Sequence, residues 1–283
     1  MRQAALSSLG GDRGRHCAPD HSDRWVIPED DDRLRDDIDH QILCKMPFYG
    51  ELLRGIAETG ARRLLEVGCG STIDSRWIAS RTDVEVHALD IAASSGSFAR
   101  RVARHLTGRV HLHRADAFRT PFREGTFDLL FHQGLLEHFD DPTALLRENL
   151  RVLRPGGILI VDVPQRYCLA TILKHRRMRR GSWPWGWERE FTVSEMRALA
   201  EGLPMTLLRV SAWGYDRYTS ILRWPWRKLR RRILAHPARL LRKCDLFCRR
   251  RVEPVWDAPW LLLERELGPR IMSNVTGIYR RIG

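Results

Sequence analysis

The residues richest in chemical possibility sit close together in the first half of the chain. Glu66-Val67-Gly68-Cys69-Gly70-Ser71-Thr72 follows the apolar run 63–67 and precedes a helical pattern. Gly68 and Gly70 permit unusual backbone dihedrals, so a ligand can rest against the loop and the helix N-terminus behind it. Asp90 stands 20 residues after Gly70, at the end of the next β-like run, with Ile91 beside it. A carboxylate in that place accepts both hydroxyl hydrogens of a ribose. Asp116 closes a third run and is followed by Ala117 and Phe118. An acidic side chain there can take a hydrogen bond from an adenine amino group, and Phe118 can pack on the base. The set describes a nucleoside site. Taken singly, the glycines also read as a tight turn, Asp90 as a helix cap and Asp116 as a turn residue. The dinucleotide fingerprint wants a third glycine where Ile73 stands, which disfavours a dehydrogenase.

A second reactive stretch is His132-Gln133-Gly134-Leu135-Leu136-Glu137-His138-Phe139. Imidazole titrates near neutrality, so His138 is a candidate general base. Glu137 can position an acceptor. Both also read as residues that cap the following helix and hold the loop. His132 reads as a packing residue at the sheet edge, beside the ligand.

These residues need elements to position them. Strand-like runs at 63–67, 84–89, 110–114, 127–131 and 158–163 alternate with helical patterns at 73–80, 96–106 and 142–153. The last helix opens on Pro142 and ends in Arg154-Pro155-Gly156-Gly157. Such alternation predicts a parallel, doubly wound sheet, and right-handed crossovers bring the loops after strands one to four to one edge. An apolar pattern over 42–59 suits one amphipathic helix or two short ones. Thr192 and Glu195 form a capping-box pattern for a helix over 192–202, and 205–213 and 274–281 read as two more strands.

Glu66 to Gly70, Asp90, Asp116-Ala117, Thr126-Phe127-Asp128 and Leu153-Arg154-Pro155-Gly156-Gly157 resemble, in order and spacing, the successive motifs of class I S-adenosylmethionine methyltransferases. The nearest resemblance is to the methyltransferase-11 or ubiquinone/menaquinone-methyltransferase-like group, over about residues 42–213. It implies a Rossmann-like, mostly parallel seven-stranded sheet with an antiparallel C-terminal strand. It also implies S-adenosylmethionine as cofactor. Glu66, Gly68, Cys69 and Gly70 would hold its methionine portion, Asp90 and Ile91 its ribose, and Asp116, Ala117 and Phe118 its adenine. His132, Glu137 and His138 would flank the sulfonium end. In some relatives a residue in the place of Glu137 supports a metal, but no metal is expected here. Methyl transfer from a sulfonium is an in-line displacement in which the protein aligns the acceptor and excludes water. The Asn/Asp-Pro-Pro-Tyr motif of enzymes that methylate exocyclic amino groups of bases is absent, as is a cysteine context for C5-pyrimidine attack.

The 283 residues carry a net charge of +13, nearly all of it arginine, since Lys45, Lys174, Lys228 and Lys243 are the only lysines. That balance fits an anionic partner, or equally a GC-rich genome. Residues 174–180 are basic and lead into Trp183, Trp185 and Trp187, which suit either a cleft or a packed lid. Between Arg223 and Arg251, apolar residues recur at helical spacing among arginines, interrupted by Pro237. This cluster suits an anionic membrane surface, a lid on its own domain, or less well RNA phosphates. The expected organisation is a flexible polar leader over 1–38, a cofactor domain over 39–213, a basic Trp/Arg-rich helical insertion over 214–272 and a final core strand over 273–283. Six scattered cysteines (Cys17, Cys44, Cys69, Cys168, Cys244, Cys248) without zinc spacing fit a reducing cytoplasm, with peripheral attachment at the inner membrane face as an option. The expected activity is methyl transfer to a small-molecule or lipid-linked acceptor. RNA methylation and a non-catalytic membrane- or partner-binding role on the same fold are the alternatives.

Overall fold

The computed structural model describes residues 30–183, 188–214 and 272–283. The leader through residue 29, Trp185, Trp187, all but the ends of the 214–272 insertion, and Cys17, Cys244 and Cys248 lie outside the described residues. Two helices come first, α1 (Asp31–Cys44) and α2 (Met46–Thr59). The alternating part runs β1 (Arg63–Val67), α3 (Ile73–Ala79), β2 (Glu85–Asp90), α4 (Ser95–Val102), β3 (Val110–Arg114), β4 (Phe127–Gln133), α5 (Thr143–Val152) and β5 (Leu153–Pro164). It is followed by α6 (Leu169–Arg179), α7 (Val193–Ala198), β6 (Met205–Trp213) and β7 (Asn274–Arg281).

The strands form one seven-stranded sheet in the order β3-β2-β1-β4-β5-β7-β6. β1 to β5 are mutually parallel, and β7 runs antiparallel to both β5 and β6. The central strands are covered on both faces, which is why they read as continuous apolar runs. One face packs Leu65, Leu130 and Leu159 against Leu145, Leu146 and Leu150 of α5. The other packs Leu64, Leu129 and Ile158 against Phe48, Leu52 and Trp77.

The leader boundary expected at residue 38 is corrected by α1, which begins at Asp31. The Asp30 carboxylate accepts the Asp32 and Arg33 N–H groups at 2.9 and 3.4 Å, a helix N-cap. Leu34 and Ile38, one turn apart, bury against Ile73 and Val102. Few apolar residues precede them, so the helix is visible only once its packing partners are known. The capping box at α7 forms as expected, with Thr192 and Glu195 bonding reciprocally.

Two of the recurring motif pieces are structural. The Asp128 carboxylate accepts the Arg62 and Arg63 N–H groups, both at 2.8 Å, and Arg154 Nε at 2.5 Å. Arg154 also donates to the Thr59 carbonyl at 2.9 Å. Residues 154–157 loop out opposite Asp128, because the pairing of β4 with β5 jumps from Phe127–Leu153 to Leu129–Ile158. This knot lies at the amino end of β1, away from the glycine loop. Burial opposes ionisation of Asp128, but the Arg63 N–H, the Arg154 guanidinium and the Arg62 N–H together hold its pKa below the usual carboxylate range.

At the β2–β3 edge, Glu85, His87, His111 and His113 share one face. The His87 ring stacks on those of His111 and His113 at centroid distances of 4.9 and 5.2 Å. His87 Nδ1 and His113 Nε2 share a hydrogen bond of 3.0 Å. Burial lowers the pKa of both imidazoles, so the folded state favours their neutral forms.

Two predictions follow from these contacts. Asp128→Ala should cost about 2–4 kcal/mol through loss of three charge-assisted hydrogen bonds, read as a lower denaturation midpoint with ligand binding at the glycine loop unchanged. For the histidines, the unfolded chain binds protons at about pH 6.5 while the fold resists them, so stability declines as pH falls below about 6.5. His113→Gln should flatten that decline in urea titrations run across the range.

Candidate nucleoside site

The sheet order reverses between β1 and β4, so the loops that follow these strands diverge and leave a crevice at their carboxyl ends. The Gly68 and Cys69 N–H groups both donate to the Leu89 carbonyl, at 2.8 and 3.0 Å, drawing the loop across the end of β2. Gly70 N–H then donates to Asp90 Oδ2 at 2.7 Å, while Asp90 Oδ1 takes the Ala92 N–H at 2.8 Å. One carboxylate therefore ties the β1–α3 loop to the β2–α4 turn. Gly68 and Gly70 have φ of +72° and +46°, conformations that disfavour any side chain. A Cβ on Gly68 would also lie 3.1 Å from Leu135 Cδ1, because the loop after β4 closes directly onto it.

Asp90 is half-buried, and two N–H donors occupy only part of its acceptor capacity, which is about four lone-pair positions. Ile91, immediately after it, is 63% exposed at the crevice edge. The β3 end joins the same edge through Ala115 N–H, which donates to the Asp90 carbonyl at 3.1 Å. Asp116 Oδ1 takes the Phe118 N–H at 2.9 Å, and its other oxygen accepts no hydrogen bond among the described residues. The Phe118 ring meets Phe139 edge to face at 4.9 Å, joining the β3 loop to the β4 loop. Gly68, Gly70, Asp90, Ile91, Asp116, Ala117 and Phe118 thus gather at one edge, as their spacing suggested.

Glu66, Cys69 and His132 lie beneath that surface. The Glu66 carboxylate is turned into the start of α3, accepting Ser75 N–H at 3.1 Å and a short bond from Ser75 Oγ. Burial, reinforced by the nearby Asp74 charge, pushes its pKa up. The Cys69 side chain is buried, and burial likewise pushes its thiol up, so only its backbone serves the loop. His132 corrects the expectation of a cofactor contact at the sheet edge. It stands on β4 between β1 and β5, fully buried, with neither ring nitrogen hydrogen-bonded. Burial pushes its pKa down to about 3, so the ring is neutral.

Around the other side of the loop is a polar group that no local pattern announced. Lys45, at the joint of α1 and α2, donates to both Asp74 oxygens at 3.0 and 2.8 Å and to Gln133 Oε1 at 2.7 Å. Tyr49 donates its hydroxyl to Asp74 Oδ1 at 2.6 Å and stacks on Trp77 at 4.1 Å. On β5, Asp162 is fully buried and accepts from Trp213 Nε1, Asn274 Nδ2 and Thr276 Oγ1 at 2.8, 3.0 and 2.5 Å. Burial pushes its pKa up to about 6 despite those bonds.

Glu137 and His138 fall in a single 3-10 turn, Leu136–His138. Glu137 is 4% exposed, and its Oε2 has no hydrogen-bond partner. Burial, with the acidic Glu188 and Asp162 nearby, pushes its pKa up to about 8. Arg189 N–H donates to the Glu137 carbonyl at 2.9 Å, so the segment after α6 closes over this turn. His138 is half-buried beside it. A carboxyl poised near neutrality in a dry turn suits general acid–base work. Of the acidic residues at this end of the sheet, burial holds Glu66 and Glu137 protonated at neutrality and Lys45 balances Asp74, which leaves Asp90 and Asp116 as the carboxyl groups at the crevice surface.

Comparison with known proteins agrees with this geometry. A family model described as a methyltransferase domain matches residues 65–161. The methyltransferase GfsG of Streptomyces halstedii is 30% identical over 125 residues, which is 43% of this chain and 45% of that protein. The trans-aconitate 2-methyltransferase of Azoarcus sp. (strain BH72) is 28% identical over 171 residues, 59% of each chain. The chain thus spans about half the length of these curated relatives. Among solved structures, the Haemonchus contortus phosphoethanolamine N-methyltransferase 2, in complex with phosphomonomethylethanolamine and S-adenosylhomocysteine, superposes with a TM-score of 0.50 at 18% identity. That superposition covers 83% of this chain and 52% of that one. The glycine loop, β2 to β4, Asp90, Asp116 and Glu137 all fall within the matched stretch, and residues 65–161 of this chain match the methyltransferase domain family.

Proposed function

We propose that this chain transfers the methyl group of S-adenosylmethionine to a small-molecule acceptor, with the crevice at the ends of β1, β2 and β3 as the cofactor site. The observation that carries the reading is the Asp90 carboxylate. It is held by Gly70 and Ala92 N–H groups with lone pairs to spare, beside two glycines in left-handed conformations. A vicinal diol is the natural partner for those lone pairs. S-adenosylmethionine, when bound, supplies an electrophilic methyl on a sulfonium centre.

The residues divide the remaining work. Asp90 orients the ribose, Asp116 accepts from the adenine amino group, and Ile91 and Phe118 flank the purine with Ala117. The backbone of Gly68, Cys69 and Gly70 lies under the methionine portion. Glu66 positions that loop from below by holding α3. His132 packs beneath the site and stays neutral. Glu137, rather than the His138 that the sequence suggested, takes the proton released by an N–H or O–H acceptor, because burial raises its pKa to about 8, and His138 orients the acceptor beside it. RNA methylation ranks below small-molecule methylation because the sequence lacks the Asn/Asp-Pro-Pro-Tyr motif and a cysteine context for C5-pyrimidine attack. A relative named for a small acceptor, trans-aconitate, supports the same class. A lipid-linked acceptor is the finer form of this reading.

Calorimetry with S-adenosylmethionine tests the cofactor site. Asp90→Asn removes two charge-assisted bonds and should weaken binding by about a hundredfold or more; unchanged affinity would reject the ribose assignment. For the chemical step, labelled methyl transfer into fractionated cell extract should rise with pH and level off above about 8, following ionisation of Glu137. Glu137→Gln should lower turnover by about 10²–10⁴-fold with cofactor affinity retained. A pH profile identical in the two proteins would exclude Glu137 as the base.

A further inference from the structure

Helix α6 has a face that the cofactor site does not use. Its inner side is fixed by burial of Thr171 and Lys174. Lys174 Nζ pairs with Glu188 at 3.0 Å and with Glu190 at 2.6 Å, which locks the rotation of the helix. The opposite side carries Ile172 and Leu173, 65% and 43% exposed, with Tyr167 at 68% just before the helix. One turn further on, the same outward arc holds Arg176, Arg177, Arg179 and Arg180, all exposed. Arg176, Arg179 and Arg180 form no ion pair among the described residues. From Gln165 to Trp183 the sequence has six Lys or Arg and no Asp or Glu.

Exposed aliphatic side chains and an aromatic stand beside arginines that form no ion pair among the described residues, on a segment without Asp or Glu. With Glu188 and Glu190 held by Lys174 on the inner side, this face matches an anionic lipid surface. We propose that α6 is a membrane-docking helix, with Tyr167, Ile172 and Leu173 entering the interface and the four arginines engaging anionic headgroups. The complementarity is specific to a surface with both an apolar and a negative layer. RNA offers the charge but not the apolar layer, and a purely apolar partner leaves the arginines unpaired. α6 follows the carboxyl end of β5. Its Glu188 and Glu190 partners flank Arg189, which bonds the Glu137 backbone. Docking would therefore hold the Glu137 turn near the bilayer, behind the docked helix on its inner side. The surface stands on its own observations; only the corollary that the acceptor is membrane-embedded rests on the methyl-transfer reading.

Co-sedimentation of the full chain with vesicles tests the proposal, using phosphatidylcholine alone and phosphatidylcholine mixed with phosphatidylglycerol. Wild type should pellet with the mixed vesicles only, and less as salt rises. Each arginine near an anionic bilayer multiplies partitioning about fivefold, so Arg176→Ser with Arg179→Ser should lower it by about 25-fold. Ile172→Ser with Leu173→Ser should lower it by about tenfold or more through lost apolar burial. Both double variants should keep the wild-type melting temperature and S-adenosylmethionine affinity, since the side chains are exposed. Full vesicle binding by both variants, equal binding to uncharged vesicles, or RNA gel shifts without vesicle binding would each overturn the docking surface. A fall in melting temperature of the aliphatic variant would overturn it too, by showing that the protein itself covers this face. Because cofactor affinity is measured in parallel, failure of the surface is separate from failure of the methyl-transfer reading.

Discussion

The whole carboxyl edge of the sheet is organised by what one carboxylate does. Asp90 closes β2, holds the Gly70 N–H of one loop and the Ala92 N–H of another, and its own carbonyl receives Ala115 from a third. Charge-assisted hydrogen bonds of this kind are worth about 1.5–3 kcal/mol each. That is enough to offset the strain of Thr72, a non-glycine residue with φ of +65°, which costs about 1–3 kcal/mol. The glycine loop is therefore held in shape by the protein's own contacts, and the group that holds it is the one to which we assign ribose binding. Preorganisation and recognition reside in the same atoms.

Charge is divided between the crevice and the rest of the molecule. Six acidic side chains gather near the carboxyl edge, and Lys45 is the cation paired inside that group through Asp74. Lys174 is spent on Glu188 and Glu190. Among the described residues, the arginines of α6 are exposed and lie on a helix outside the crevice. Net charge alone would point to a polyanion as the substrate, whereas the basic surface of α6 is separate from the proposed cofactor site. We assign S-adenosylmethionine to that site and an anionic bilayer to the helix beside it.

Most of the fold was legible in the sequence because short β-rich runs alternate with helical patterns between turn residues, at edge and centre of the sheet alike. Runs 63–67, 110–114, 205–213 and 274–281 coincide with β1, β3, β6 and β7. β5 has an earlier start because residues 154–157 loop out opposite Asp128, and Pro155 with two glycines looks like a terminator when its partner strand is unknown. α1 was hidden by its polar composition. At the site, the residues of the glycine loop and the strand ends were legible because each follows a strand at a fixed offset. Lys45, Tyr49, Asp74, Gln133 and Asp162 were not, since Lys45 lies 29 residues from Asp74 and 88 from Gln133. No periodicity spans such distances. His132 was misplaced for a related reason: position in a strand does not reveal whether its end is open or roofed.

The family-like residues serve two separate edges of the sheet, and that separation bears on whether the chain is an enzyme. Asp128 and Arg154 secure the amino end of β1, and nothing in their contacts requires a ligand. A chain that retained only these would keep its fold without a site. Gly68, Gly70, Asp90 and Asp116 lie at the opposite, carboxyl edge, where two left-handed glycines and partly exposed carboxylates meet beside the crevice. Glu137 carries the argument furthest. A buried carboxyl oxygen without a partner is destabilising by about 1–3 kcal/mol, and a glutamine or an aliphatic side chain would fill the turn without a group that must be held protonated. Its presence one residue from His138, under the segment that closes after α6, fits the proton-accepting role proposed for it.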